Sequence, residues 1–263
     1  MKLIFSGMTD PGLLRSSNQD AYYVDPQGRF FIVADGMGGH AGGQEASSIA
    51  TATIRSFLLD HWDSTLATPD ILHRGLDLAN KAILADQRQH PERGDMGTTA
   101  GVLMFREHQD QAIWCAHVGD SRLYRLRGPK IVQITEDHTW IARAVKEGEL
   151  TPDQSRNHPW RHVLSQCLGR ADMHRIDVQA VEAQPGDRFL LCSDGLTEEL
   201  PNTIIAAHLK SIRAVESAAQ ALVNSAKKHG GRDNITVVIV SLLMEKLDQD
   251  GQDTDVETGF VVE

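Results

Sequence analysis

The chain has 263 residues, 41% of them hydrophobic, enough for one large domain or two small ones that bury a core without staples. A formal charge of −10, from 26 basic and 36 acidic side chains, excludes sequence-independent binding to nucleic acid, whose affinity comes from Lys and Arg on phosphate. Three cysteines, Cys115, Cys167 and Cys192, in no framework spacing exclude a disulfide scaffold and point to a reducing cytoplasm.

In chain order, the opening MKLIFSGMTDPG has one Lys and too short an apolar run for a signal-peptide core. Weak strand patterns at 2–6 and 21–25 lead to a strong one at 29–35, inside the stretch FFIVADGMGGHAGG (30–43). Two helical stripes follow, one through Ala46, Ile49, Ala50, Thr53, Ile54, Phe57 and Leu58, the next through Leu72, Leu76, Ala79 and Ile83. Strands are predicted at 98–105, 111–118 and 121–127, and more weakly at 130–135. WCAHVGDSRLYRLR reads as a hairpin about a Gly-Asp-Ser turn. Residues 137–175 interrupt the pattern as a flap with one short helix in TPDQSRNHPW. A weak strand at 176–181, a strong one at 186–193, a helical stripe from Val215 to Val223 and a closing strand at 234–243 complete the pattern. The longest mainly apolar run, ITVVIVSLLM, is too short to span a bilayer as a helix, so no membrane is expected as a partner. From 245 to 263 the chain carries seven acids against one Lys and is expected to be a disordered acidic tail.

Strict strand–helix alternation is absent. This disfavours a doubly wound parallel sheet and predicts a mainly antiparallel α+β layering in one domain, residues 1–244. Gly36, Gly38 and Ala41 fit the G-x-G-x-x-A spacing of a dinucleotide site, but two helices follow where that fold requires a second strand ending in an acid.

Apolar strands run into acids repeatedly. FFIVADG ends at Asp35, FLLCSDGL (189–196) at Asp194, and GGRDN (230–234) brings Asp233 to the start of ITVVIV. Asp120 sits in the VGDS turn and Asp20 stands before AYYVD. Any one Asp-Gly is an ordinary turn. Several acids at strand ends can converge on one sheet edge, where carboxylates repel unless a cation neutralises them. Oxygen donors without a Cys or His cluster point to Mg²⁺ or Mn²⁺ rather than zinc.

The motifs RSSNQD (15–20), VADGMGGHAGG (33–43), GTTA (97–100), VGDSRLY (118–124), CSDGL (192–196) and GRDNITVVIV (231–240), in that order, resemble those of the metal-dependent protein phosphatase family, also called protein phosphatase type 2C. The resemblance covers about residues 6–243. It implies a four-layer αββα sandwich of two mainly antiparallel sheets flanked by helices, and a two-metal centre of Mn²⁺ or Mg²⁺ at one end of the sheets. On it, Asp35 bridges the metals, the Gly36 carbonyl binds one, and Asp194 and Asp233 bind the other. Asp20 is a ligand directly or through water, Asp120 with Asp194 matches a third, weaker metal position, and Arg15 matches the arginine that holds substrate phosphate. Two hard cations supply hydroxide for in-line attack on phosphorus, and an arginine fork suits a phosphate.

The chain departs from the pattern at several places. Met37 stands where many relatives carry a histidine as leaving-group acid, which leaves His40 as the candidate acid. Gln19 replaces a common glutamate, and Asn234 is expected to orient Asp233 or a metal water. The flap cations Arg143, Lys146, Arg156, His158, Arg161, His162, Arg170, His174 and Arg175 form either a contact surface for an anionic phosphoprotein or a solvated polar face.

The implied function is a cytoplasmic, monomeric serine/threonine phosphatase that opposes a bacterial serine/threonine kinase and acts on that kinase and its targets. The alternatives are a catalytically silent phosphoprotein-binding module of the same fold and a two-metal phosphodiesterase. Against the last stand the acidic balance and the lack of aromatic residues interleaved with basic ones.

Overall fold

The computed structural model describes residues 2–38, 42–106, 113–156 and 158–243. The acidic tail expected over 245–263, His40 and the first two residues of the strand expected at 111–118 lie outside the described residues, as does the side chain of Arg156.

Eleven strands are described: β1 (Leu3–Asp10), β2 (Asp20–Val24), β3 (Phe30–Met37), β4 (Gly97–Thr98), β5 (Ala100–Phe105), β6 (Ile113–Val118), β7 (Arg122–Arg127), β8 (Lys130–Gln133), β9 (Asp177–Ala180), β10 (Arg188–Cys192) and β11 (Ile235–Leu242). The helices are α1 (Gly42–Asp60), α2 (Thr68–Gln89), α3 (Trp140–Lys146), α4 (Pro152–Arg156), α5 (Asp194–Thr197), α6 (Asn202–Ser211) and α7 (Val215–His229). One sheet runs β1-β11-β10-β7-β8 and the other β2-β3-β5-β6-β9, with β4 paired to β3 and every pairing antiparallel.

The strong strands read as continuous apolar runs because both of their faces are buried. On β3, Phe30 and Ile32 face α1 and α2, whereas Phe31 and Val33 face the opposite sheet. On β11, Val237 and Ile239 face α6 and α7, whereas Val238 and Val240 point between the sheets. Three separate apolar cores result, and three cores make four layers: helices, sheet, sheet, helices. In the middle core Phe31 meets Phe5 and Phe105 edge-on, with centroids 5.1 and 5.9 Å away. Burying Phe31 or Phe189 completely contributes about 1.5–3 kcal/mol each. The four-layer α+β sandwich expected from the sequence is the fold observed.

Two expectations are corrected. WCAHVGDSRLYRLR is not a hairpin: β6 belongs to one sheet and β7 to the other, so the Gly-Asp-Ser turn is an arch that crosses between them. A short turn between alternating strands serves either geometry, and what decides is that Cys115 and Leu123 both enter the middle core from opposite sheets. In the flap, the helix expected over 151–160 is confined to α4, and an additional helix, α3, precedes it, capped by the Thr139 hydroxyl accepting the Ala142 N–H at 3.1 Å. All three cysteines are free and buried, and no helix among the described residues is long and apolar enough to cross a membrane.

Candidate metal centre

Antiparallel pairing brings the acids together. Asp20 opens β2 directly opposite Asp35 near the end of β3. The end of β10 lies beside the start of β11, so Asp194 and Asp233 flank one sheet edge. The β6–β7 arch adds Asp120, because Arg122 pairs with Cys192 across the same edge. Five aspartates therefore share one end of the sandwich.

Each is held differently. Asp20 is 9% exposed, and its Oδ2 accepts hydrogen bonds from Ser193 Oγ at 2.7 Å and Thr236 Oγ1 at 2.6 Å, both from the other sheet. The Asp35 main chain is locked by two threonines: Thr98 Oγ1 donates to its carbonyl at 2.8 Å, and its N–H donates to Thr99 Oγ1 at 3.0 Å. Thr99 Oγ1 in turn meets Ser121 Oγ in the arch at 2.7 Å. Beyond burial, the nearby Asp20 and Asp194 carboxyls favour a proton on Asp35. Asp233 accepts the Asn234 N–H at 2.8 Å and Arg15 Nη2 at 2.6 Å.

Burial is the main reason Asp20, Asp35, Asp120 and Asp194 hold their protons, and neighbouring carboxylates add to it. Asp20 is pushed up to about 7, with the Thr236 and Ser193 hydrogen bonds opposing the rise. Asp35 and Asp120 are raised well above the usual carboxylate range, and Asp194 is raised as well. Two buried carboxylate oxygens, Asp20 Oδ1 and Asp194 Oδ1, have no hydrogen-bond partner among the described residues. Oxygen donors converging with unpaired lone pairs fit hard divalent cations, whose charge would offset both the burial and the repulsion that favour the protonated acids.

Gly36 admits no side chain: a Cβ there would lie 2.0 Å from the Gly43 carbonyl oxygen at the start of α1 and 2.5 Å from that of Gln19. Gly36 N–H donates to the Gln19 carbonyl at 3.1 Å, and the Gln19 amide reaches the Gly38 carbonyl at 3.4 Å. Arg15 is 52% exposed and spends its fork on Asp233 rather than standing free. Asn234, expected to orient Asp233 or a water, uses its side chain elsewhere. Its Oδ1 accepts the Gln19 N–H at 2.8 Å and its Nδ2 donates to the Ser17 and Pro11 carbonyls at 2.9 and 3.0 Å, pinning the loop that carries Arg15.

Sequence reasoning missed the hydroxyls of Ser193, Thr236, Thr98, Thr99 and Ser121, although all lie within the quoted motifs. It also missed Glu198, which pairs with His162 of the flap. Ligand atoms of His162, Glu198 and Asp194 lie within 4.8 Å of one another. Glu198 is raised to about 7, first by burial and then by Asp194 and Asp233. Beside this group a cleft of about 900 Å³ runs between flap and body, lined by Asp120, Asp194, Arg161, His162 and Arg232 among others. Four flap cations are held in ion pairs: Arg143 with Glu147, Lys146 with Glu136, Arg170 with Asp172 and Arg175 with Asp177. His158 stacks on Trp140 with centroids 5.2 Å apart, and His174 is bonded to Gln166. Arg161 has no acidic partner within ion-pair distance among the described residues.

A family model described as protein phosphatase 2C matches residues 15–235. Serine/threonine protein phosphatase PstP of Mycobacterium tuberculosis is 36% identical over 247 residues, covering 92% of this chain and 45% of that protein. The chain thus spans about half the length of the mycobacterial relative. Serine/threonine phosphatase stp of Listeria monocytogenes is 34% identical over 254 residues, 93% of this chain and 97% of that protein. Among solved structures, the catalytic domain of PstP in complex with two manganese ions superposes with a TM-score of 0.77 at 31% identity, over 92% of this chain and 99% of that one.

Proposed function

Because the chain belongs to the protein phosphatase 2C family, we propose that it is a metal-dependent protein serine/threonine phosphatase that hydrolyses phosphoserine and phosphothreonine. The observation that carries this reading is the pair of orphaned, buried carboxylate oxygens, Asp20 Oδ1 and Asp194 Oδ1, among five aspartates at one sandwich end. A silent binding module has no use for so costly an arrangement.

Two Mn²⁺ or Mg²⁺ ions, when bound, supply a water nucleophile at neutral pH and neutralise charge on the phosphoryl oxygens. Asp35 and the Gly36 carbonyl would hold the pair from one sheet, and Asp194 and Asp233 would hold it from the other. Asp20, clamped by Ser193 and Thr236, offers its free Oδ1 directly or through water. Asp120 with Asp194 would hold a third, weaker ion. The half-exposed Arg15, now paired with Asp233, would offer its fork to the substrate phosphate if that carboxylate were engaged by a metal. His40 is the candidate donor to the leaving alkoxide, with Met37 unable to serve. Gln19 and Asn234 keep the Arg15 loop in register with β3. The substrates we propose are a bacterial serine/threonine kinase and its targets, met by a cytoplasmic monomer; no nucleic acid or membrane takes part.

The test is hydrolysis of a phosphothreonine peptide with Mn²⁺, with EDTA, and by Asp194→Asn. Turnover is expected to require metal and to fall about a hundredfold or more in the variant, since even partners of metal ligands cost 10–100-fold when lost. Metal-independent turnover overturns the mechanism, and no turnover on several phosphopeptides favours the binding module.

A further inference from the structure

Away from the aspartates, one other set of ligand-type side chains converges among the described residues: His117, His138 and Asp177, with ligand atoms within 4.8 Å of one another. His117 lies on β6, three residues before Asp120. His138 is the second residue of the flap, and Asp177 begins β9 where the flap ends. Both histidines are 1% exposed, and their rings stack with centroids 4.6 Å apart.

The hydrogen bonds fix the protons. Gly119 N–H donates to His138 Nδ1 at 3.2 Å, so that nitrogen carries its lone pair and the proton sits on Nε2, where Asp177 Oδ2 accepts it at 3.2 Å. His117 faces the Glu136 carbonyl with Nε2 at 2.8 Å, so its Nδ1 is bare, and that atom has no partner. A metal held by this trio would need the His138 Nε2 lone pair, which moves the proton to Nδ1 and sets it against the Gly119 N–H. Stacked rings also cannot both aim in-plane lone pairs at one ion. The trio is therefore a hydrogen-bond clamp.

The clamp has several points of grip. His138 N–H donates to the Gly119 carbonyl at 3.0 Å, so both peptide groups of Gly119 are held by one residue. The His138 carbonyl accepts Ser165 N–H from the far side of the flap at 2.8 Å. Gly119 itself, at φ +101°, is pressed on Thr99, where a Cβ would come within 2.6 Å of a methyl group.

We propose that His138 is a positioning residue for Asp120: its imidazole, held in the Nε2–H form by Asp177, fixes the Gly119 peptide and through it the carboxylate that offers the weaker metal position. This rests on the reading of Asp120 as a metal ligand. It makes one buried side chain common to the flap base and that position.

Asn and Gln substitutions separate the two nitrogens. In His138→Asn the amide oxygen stands near Nδ1 and accepts Gly119 N–H without help from Asp177. In His138→Gln the amide reaches toward Asp177 and leaves Gly119 unpartnered. Mn²⁺ binding to the full chain is followed by calorimetry and by the EPR signal of free Mn²⁺. The weaker site is expected to lose about tenfold in affinity in the Gln variant and under about threefold in the Asn variant, with the tight pair unchanged in both. Asp177→Ala, which frees the tautomer, weakens the same site in the parent chain but not in the His138→Asn background. Equal losses in the Asn and Gln variants, or none in Gln, overturn the proposal. If His138→Gln does not fold, the Asp177→Ala pair decides alone. Asp120→Ala tells the two readings apart: a weaker site that survives it removes the underlying assignment, whereas one abolished there yet intact in His138→Gln removes only the positioning role. An ion that resists dialysis against EDTA and disappears in His117→Ala makes the trio a metal site instead.

Discussion

The sandwich end and the flap both concentrate charge, and they treat it in opposite ways. At the sandwich end, acids are packed against acids, two buried oxygens lack any partner among the described residues, and burial together with mutual repulsion keeps protons on the acids. In the flap, several cations face a carboxylate a few residues away in sequence, as in Arg143 with Glu147 and Arg175 with Asp177. Charge that is satisfied internally shapes a segment, whereas charge left unsatisfied in a buried setting waits for a ligand. The contrast makes the aspartate end the site and most of the flap its frame.

Acidity separates the two regions most strongly. Without metal, Asp20, Asp35, Asp120 and Asp194 have folded values above the ordinary unfolded value of about 3.9. Their contribution is therefore fully present below pH ~4 and is lost as pH rises through the folded value, about 7 for Asp20. A shift of that size corresponds to the order of 4 kcal/mol. At the foot of the flap, Asp177 is lowered to about 2, against the opposing effect of burial, by hydrogen bonds from Arg175 and then His138. Its contribution is present above pH ~4 and is lost as pH falls through about 2. Thermal melting in EDTA is expected to fall by several degrees between pH 5 and 8, and excess Mn²⁺ is expected to remove that fall. A melting temperature that rises with pH in EDTA would mean that burial and mutual repulsion do not hold protons on these acids.

The hydroxyls that hold Asp20 come next in size. Thr236→Val keeps the shape of the side chain and removes the 2.6 Å hydrogen bond that orients Asp20 across the two sheets. Mn²⁺ affinity measured by calorimetry is expected to drop about tenfold, at the lower end of the range for groups that orient a metal ligand. An unchanged affinity would show that packing alone orients Asp20.

Much of the fold could be read because β3, β5, β10 and β11 are buried on both faces and therefore spell continuous apolar runs. The positions of Asp35 and Asp194 could be read because a strand running into Asp-Gly occurs twice. The β6–β7 arch could not, since a Gly-Asp-Ser turn joins strands within a sheet or across two. Helix α6 escaped because only Ile205 and Leu209 bury its apolar side, too few for a periodic signal. Ser193, Thr236 and Thr99 were invisible as site residues because a hydroxyl on a strand usually serves packing. Only the folded register shows that these three point at aspartates.

Within the flap, Arg161 and Lys146 sharpen the contrast between unsatisfied and satisfied charge. Arg161 lines the cleft beside Asp194 and has no acidic partner within ion-pair distance among the described residues, whereas Lys146 sits 2.9 Å from Glu136. An anionic phosphopeptide entering the cleft meets Arg161 without first breaking an ion pair. Arg161→Ala is therefore expected to raise the KM for a phosphothreonine peptide about fivefold, the worth of about 1 kcal/mol for a partly exposed charge contact, with little change in kcat. Lys146→Ala is expected to leave both constants alone and to cost under about 1 kcal/mol of stability, as exposed pairs do. Steady-state kinetics and melting on the two variants decide it. Equal KM effects would mean that the flap acts through its summed charge, and an effect of Lys146→Ala alone would reverse the assignment of which flap cation meets the substrate.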